Sequence, residues 1–128
     1  SQSDFVSINV ALTDETRGLI GAEALAKMKP GAILINTARG GIVDEKALAD
    51  ALKEGHLAGA GFDVFGEEPV APDNALFDAP NFVATPHIGS ATPETRMAMM
   101  DLAVANMCAA MAGESMPCCF NPEVYENR

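Results

Sequence analysis

The run Ala32-Ile33-Leu34-Ile35 has no polar alternation, and it stands between Lys29-Pro30-Gly31 and Asn36-Thr37-Ala38-Arg39-Gly40-Gly41. A strand with one wet face alternates apolar and polar residues. One that does not alternate is covered on both faces, as in a parallel sheet flanked by helices. Parallel neighbours need crossover segments between them, and the chain supplies these. Phe5-Val6-Ser7-Ile8-Asn9-Val10 reads as a first strand with Val6, Ile8 and Val10 on one face and Phe5 on the other. Thr13 can cap a short helical turn. Residues 22–28 read as helix, with Ala22, Leu25, Ala26 and Met28 apolar, Lys27 and Lys29 favouring its C-terminal end, and Pro30-Gly31 stopping it. Asp44 is placed to cap a helix whose apolar stripe is Ala47, Leu48, Ala51 and Leu52, with Gly55 as its breaker.

Leu57 to Phe62 reads as a third strand, and Phe82-Val83-Ala84 as a fourth after a proline-rich loop from Pro69 to Pro80. Thr92 and Pro93 then open the longest helix. Its stripe of Met100, Ala103, Val104, Met107, Cys108 and Met111 runs to Gly113 and is expected to pack as core. This order of elements predicts a doubly wound α/β fold.

A length of 128 residues suffices for one domain with a modest core. The formal charge of −10 argues against a nucleic-acid partner, because phosphate binding needs clustered Lys and Arg. No apolar stretch is long enough to cross a bilayer, and Ser1-Gln2-Ser3-Asp4 is no signal peptide. Cys108 and the adjacent Cys118-Cys119 have no His at zinc-site spacing, so the expectation is reduced thiols, no metal, and a cytoplasmic protein.

Three loops that follow strands carry chemistry: Asn36–Gly41, Asp63–Pro69 and Thr85–Ser90. In an open α/β sheet, ligands bind at the carboxyl ends of the strands, so a guanidinium, carboxylates and an imidazole could converge there. Arg39 can hold a carboxylate by two parallel hydrogen bonds. His87 can give or take a proton near neutrality. An acid from Glu67-Glu68 would orient the ring and favour its charged form. His56, just past a helix end, is given no role.

The segments Asn36–Gly41, Gly61–Pro69 and Pro86–Ser90 resemble those of the D-isomer-specific 2-hydroxyacid dehydrogenases. Further matches are Leu12–Gly18, Lys27–Ala32, Asp44-Glu45 and Ser90–Arg96, with the glyoxylate/hydroxypyruvate reductase branch most similar through Ser90–Arg96 and Phe120–Glu123. The resemblance implies a catalytic set of Arg39, Glu68 and His87. Arg39 would bind the substrate carboxylate and His87 would exchange the proton. Glu68, the acid directly before Pro69, would pair with His87, in preference to Glu67. It also implies that NAD or NADP meets Val10, Ala11, Thr16, Thr37, Ala38, Arg39, Asp63, His87, Gly89 and Ser90, with Asp63 on the nicotinamide carboxamide. At Ala11 the family commonly has proline.

The family's glycine-rich pyrophosphate turn does not precede Phe5. Gly59-Ala60-Gly61 has two glycines but no third, and lies inside a strand. The expectation is therefore a partial, Rossmann-like parallel sheet, the second half of a nucleotide-binding domain plus a long C-terminal helix. Residues 1–91 would be the C-terminal half of the NAD(P)-binding domain, holding only the nicotinamide half of the cofactor. Residues 92–128 would return to a substrate domain. Such a chain would act on a small 2-oxo or 2-hydroxy acid only with its missing parts. Its open strand edge would favour a homodimer or larger assembly. Two alternatives are a non-catalytic assembly module that retains the fold, and a related chemistry such as phosphite, formate or phosphoglycerate oxidation.

Overall fold

Each strand is reached by a crossover from the one before it, and the strands lie one beside the next in chain order. In the computed structural model, which describes residues 1–127, the sheet has four parallel strands in the order β1-β2-β3-β4. The elements are β1 (Phe5–Ile8), α1 (Ala22–Ala26), β2 (Ile33–Asn36), α2 (Glu45–Lys53), β3 (Gly59–Phe62), β4 (Phe82–Ala84), α3 (Pro93–Ala112) and a final 3-10 turn (Pro122–Asn127). The register runs Val6 to Leu34, Leu34 to Ala60, and Ala60 to Phe82. The chain divides into two compact units, Ser1–Gly89 and the part from Ser90 onward.

In the first unit the core is built by Leu34 from β2, Leu25 from α1, Leu48 and Leu52 from α2, and Ile42 and Leu76 from loops, all with essentially no exposure. Burying each such side chain contributes about 1.5–3 kcal/mol. The α2 stripe faces this core because Asp44 fixes where the helix starts: its carboxylate accepts from the Ala47 amide at 3.0 Å. Gly55 ends the helix region with φ of +73°, a conformation that favours glycine.

Several boundaries differ from the sequence reading. β1 stops at Ile8, opposite Asn36, because its neighbour turns away into the Thr37–Gly41 loop; Val10 therefore leaves the expected face and is 44% exposed. β3 begins at Gly59 rather than Leu57, where the backbone of Asn81 approaches too closely for a side chain: a Cβ on Gly59 would lie 2.9 Å from the Asn81 carbonyl oxygen. α1 ends at Ala26 rather than residue 28, and its lysines serve outward pairs, Lys27 with Glu23 at 2.6 Å and Lys29 with Asp4 at 2.5 Å.

In the second unit, Thr92 accepts from the Thr95 amide at 3.2 Å, Pro93 takes the first position of α3, and Gly113 closes the helix at φ of +75°. The tail folds along its own helix, with the Cys118 amide donating to Asn106 at 3.0 Å. No α3 residue is buried, contrary to the expected core stripe. Met99 and Leu102, both exposed, lie off that stripe, so apolar side chains encircle the helix instead of forming one packing face. Among the described residues the three cysteines are free, and no helix is long and apolar enough to cross a membrane.

Candidate active site

Backbone pairing continues past the strand ends. The Asp63 amide donates to the Asn36 carbonyl at 3.0 Å, and the Thr85 amide to the Phe62 carbonyl at 2.9 Å. The loops after β1, β2, β3 and β4 are thereby laid side by side at the carboxyl edge, where they form two clefts.

The first cleft, about 710 Å³, is lined by Val10, Ala11, Thr37, Ala38 and Arg39. Its β2 side is shaped by Asn36, a fully buried polar residue at the end of an apolar strand. The Asn36 amide nitrogen donates to the Arg39 carbonyl at 3.0 Å, and its oxygen accepts from the Ala38 amide at 3.1 Å, so the turn closes around one side chain. Arg39 is exposed, and its Nη1 donates to the adjacent Ala38 carbonyl at 2.7 Å. On the β1 side, Thr16 Oγ1 donates to the Ala11 carbonyl and accepts from the Thr13 amide, each at 2.7 Å. That bond restrains the loop at Ala11, where a proline would stiffen it by other means.

The second cleft, about 510 Å³, is lined by Asp63, Glu68 and His87 with Phe65, Val70 and Phe77. His87 Nδ1–H donates to Glu68 Oε2 at 2.7 Å, and Glu68 Oε1 accepts from the Phe65 amide at 2.9 Å. The partner is thus Glu68 and not Glu67. His87 has φ of +53°, a left-handed conformation that costs a non-glycine residue of order 1–3 kcal/mol and persists only when the surroundings hold it. Asp63 does the holding. It is 5% exposed, its Oδ1 accepts from Thr85 Oγ1 at 2.5 Å and the Ile88 amide at 2.8 Å, and its Oδ2 accepts from the Gly89 amide at 2.8 Å. Gly89 is tight against this carboxylate, and Ser90, exposed, opens the second unit.

These contacts set the electrostatics. Burial pushes the Asp63 carboxyl up, but the hydrogen bonds from Thr85, Ile88 and Gly89, with the nearby His87, outweigh it and hold the group below the usual carboxylate range. For Glu68, the hydrogen bond from His87 and then that from the Phe65 amide lower its value. Both acids stay ionised at neutral pH, and Glu68 presents a charged acceptor to the His87 Nδ1–H.

The loops that carry Arg39 and Glu68 meet at Gly40. A Cβ there would lie 1.7 Å from the Phe65 carbonyl oxygen, so only glycine lets the Arg39 loop and the Glu68 loop touch. Sequence reasoning assigned no role to Asn36, Glu45 or Thr85, although each holds a loop that bears a candidate group. The available signal was a polar residue ending an otherwise apolar strand, at Asn36. His56, given no role, contacts the Leu25 carbonyl through Nε2 at 3.2 Å, in keeping with structural use.

A family model, D-isomer specific 2-hydroxyacid dehydrogenase, NAD binding domain, matches residues 1–89. The chain belongs to this dehydrogenase family. It is 56% identical over 126 residues to a glyoxylate/hydroxypyruvate reductase B of Pectobacterium carotovorum, covering 98% of this chain and 39% of that protein. The chain thus spans about 39% of the length of that curated relative. Among solved structures, the TT0316 protein of Thermus thermophilus superposes with a TM-score of 0.86 at 50% identity, over 91% of this chain and 37% of that one. An NADPH-dependent glyoxylate/hydroxypyruvate reductase of Sinorhizobium meliloti, solved with NADP and malonate, gives 0.77 at 44% identity, over 83% and 33%. The parallel sheet, the Rossmann-like α/β architecture and the family assignment agree with the sequence resemblance.

Proposed function

We propose that this chain supplies the acid–base and nicotinamide-facing part of an NAD(P)-dependent reductase of small 2-oxo acids of the glyoxylate and hydroxypyruvate type. The observation that carries the reading is the His87–Glu68 bond of 2.7 Å in a cleft at the carboxyl edge of the sheet. With Nδ1 engaged, Nε2 is the ring nitrogen left to give a proton to the oxygen of a 2-oxo group, or to take it back in the oxidative direction. Glu68 keeps the ring oriented by accepting from Nδ1–H. Arg39 pairs with the substrate carboxylate, since a guanidinium matches a carboxylate through two donors. A bound nicotinamide would supply or accept the hydride.

The residues present fit the nicotinamide half of such a cofactor. Val10, Ala11, Thr37 and Ala38 offer a largely apolar wall, Thr16 keeps the Ala11 loop in place, and Gly89 and Ser90 continue the loop beyond His87. Asp63 has one acceptor position left at Oδ2 for a carboxamide. The chain has no glycine-rich turn for a pyrophosphate, so this reading assigns it the C-terminal half of the cofactor domain, residues 1–91. Residues 92–128 then lead back to a substrate domain, and turnover needs those further parts. The reading also holds the protein to be cytoplasmic and self-associating. The outer edge of β1 and the exposed Met97, Met99, Met100, Met107 and Met111 of α3 are the surfaces that favour association.

The test joins this chain in frame to the N-terminal portion of the Pectobacterium relative and follows NADH and NADPH consumption with glyoxylate and hydroxypyruvate. Turnover that vanishes in His87→Ala supports the reading. A folded hybrid that binds either cofactor yet reduces neither acid refutes it.

A further inference from the structure

The Glu68 loop has to stand in the right place for its carboxylate to meet His87, and beside bonds within the loop, such as that from the Phe65 amide to Glu68, it is held from outside. Two of the outside contacts come from a distant helix. Glu45, half-buried on the first turn of α2, accepts from the Gly66 amide through Oε1 at 2.7 Å and from Asn74 Nδ2 through Oε2 at 2.6 Å. Gly66 lies two residues before Glu68, and Asn74 lies six residues after it. Asn74 in turn uses its Oδ1 to accept from the amide of Leu76, a fully buried core residue, at 3.0 Å. One carboxylate thus grips the loop on both sides of Glu68 and ties the far side to the core.

We infer that Glu45 is a positioning residue which fixes the loop carrying Glu68 and so sets the Glu68–His87 hydrogen bond. Both groups facing Glu45 are donors, so the site requires an acceptor on each oxygen. Glutamine has the right shape but only one acceptor, and must lose one anchor. A reciprocal exchange avoids the loss. With Glu45→Gln and Asn74→Asp together, the Gln oxygen accepts from Gly66 and its NH2 donates to the Asp carboxylate. The net charge equals that of the natural pair.

The test reads the geometry itself, in the purified 128-residue chain. It therefore stands whether or not the pair transfers a proton, the one point it shares with the proposed function. Carboxyl-detected NMR follows the titration of Glu68, and proton exchange follows the His87 Nδ1–H. Removing the charge at position 45 acts by itself to lower the Glu68 value, whereas loosening the loop raises it toward that of an ordinary glutamate. The two effects have opposite signs. In Glu45→Gln and Glu45→Ala the Glu68 value should rise, and Nδ1–H exchange should quicken by about tenfold, the factor for losing one hydrogen bond to a charged acceptor. The Glu45→Gln/Asn74→Asp pair should restore both readouts. If Glu45→Ala does not fold, the Gln variant and the exchanged pair decide. A folded Gln variant with unchanged or lowered Glu68 titration and natural exchange overturns the inference, as does an exchanged pair that restores neither.

Discussion

The two clefts at the carboxyl edge are built differently. At the β3–β4 cleft every candidate group is held by the protein: Asp63 by three donors, Glu68 by two, and His87 by Glu68 and the flanking amides that Asp63 fixes. At the β1–β2 cleft the loop backbone is held by Asn36, yet among the described residues the Arg39 side chain bonds only to the carbonyl beside it. Acid–base groups need their orientation fixed before substrate arrives, since proton transfer depends on short, aligned contacts. A guanidinium that grips a carboxylate can take up its geometry when the ligand comes. One cleft is preorganised and the other is adaptable.

The largest expected effect falls on the preorganised side. In a chain joined in frame to the N-terminal portion of the Pectobacterium relative, His87→Ala should cut turnover by about 10²–10⁴-fold, the range for removing a general acid–base. Cofactor affinity, read by NADH and NADPH fluorescence, should stay near its natural value. A loss of less than tenfold would mean the fixed His87–Glu68 geometry serves the fold and not proton transfer.

Next comes the junction. Gly40→Ala would drive a methyl group into the Phe65 carbonyl, and the backbone of one loop would have to yield. The expected loss is about 1–3 kcal/mol of unfolding free energy, read from urea denaturation, the usual range for overpacking. A variant as stable as the natural chain would show that the two loops move independently.

Asp63→Asn tests what holds the left-handed His87. An amide cannot accept from all three donors, so one is left unmet, and the expected destabilisation is about 1–3 kcal/mol. Acidification should tell the same story. Asp63 and Glu68 have folded-state values below their ordinary ones of 3.8 and 4.5. The stability each contributes is therefore present above its unfolded value and lost as pH falls through the lowered folded value. The natural chain should lose stability on that acid limb, and Asp63→Asn should show a shallower loss there.

How much of this was legible beforehand depends on the distance over which each contact acts. Asp44, Thr92, Gly55 and Gly113 could be placed from sequence because a cap bonds within its own turn. Strand ends shifted by one or two residues because Val10, Ala32 and Leu57 are apolar in themselves, while pairing is decided by where the neighbouring strand turns. Glu45 could not be read as a brace, since its partners lie 21 and 29 residues away. The α3 stripe was read from period alone, and a period says nothing of what covers it.

The smallest predicted effect completes the contrast. Arg39→Ala removes an exposed side chain whose one hydrogen bond among the described residues goes to the neighbouring carbonyl. Asn36 would still close the turn through its bonds to the Arg39 carbonyl and the Ala38 amide, which the substitution leaves in place. Stability should therefore change by no more than about 0.5 kcal/mol, as for surface positions without special contacts. In the hybrid with the Pectobacterium N-terminal portion the same variant should raise the apparent substrate constant and lower turnover together, because the lost grip is felt in both ground and transition states. A chain destabilised as strongly as Asp63→Asn would show that the Arg39 cleft is also preorganised, and the difference between the two clefts would disappear.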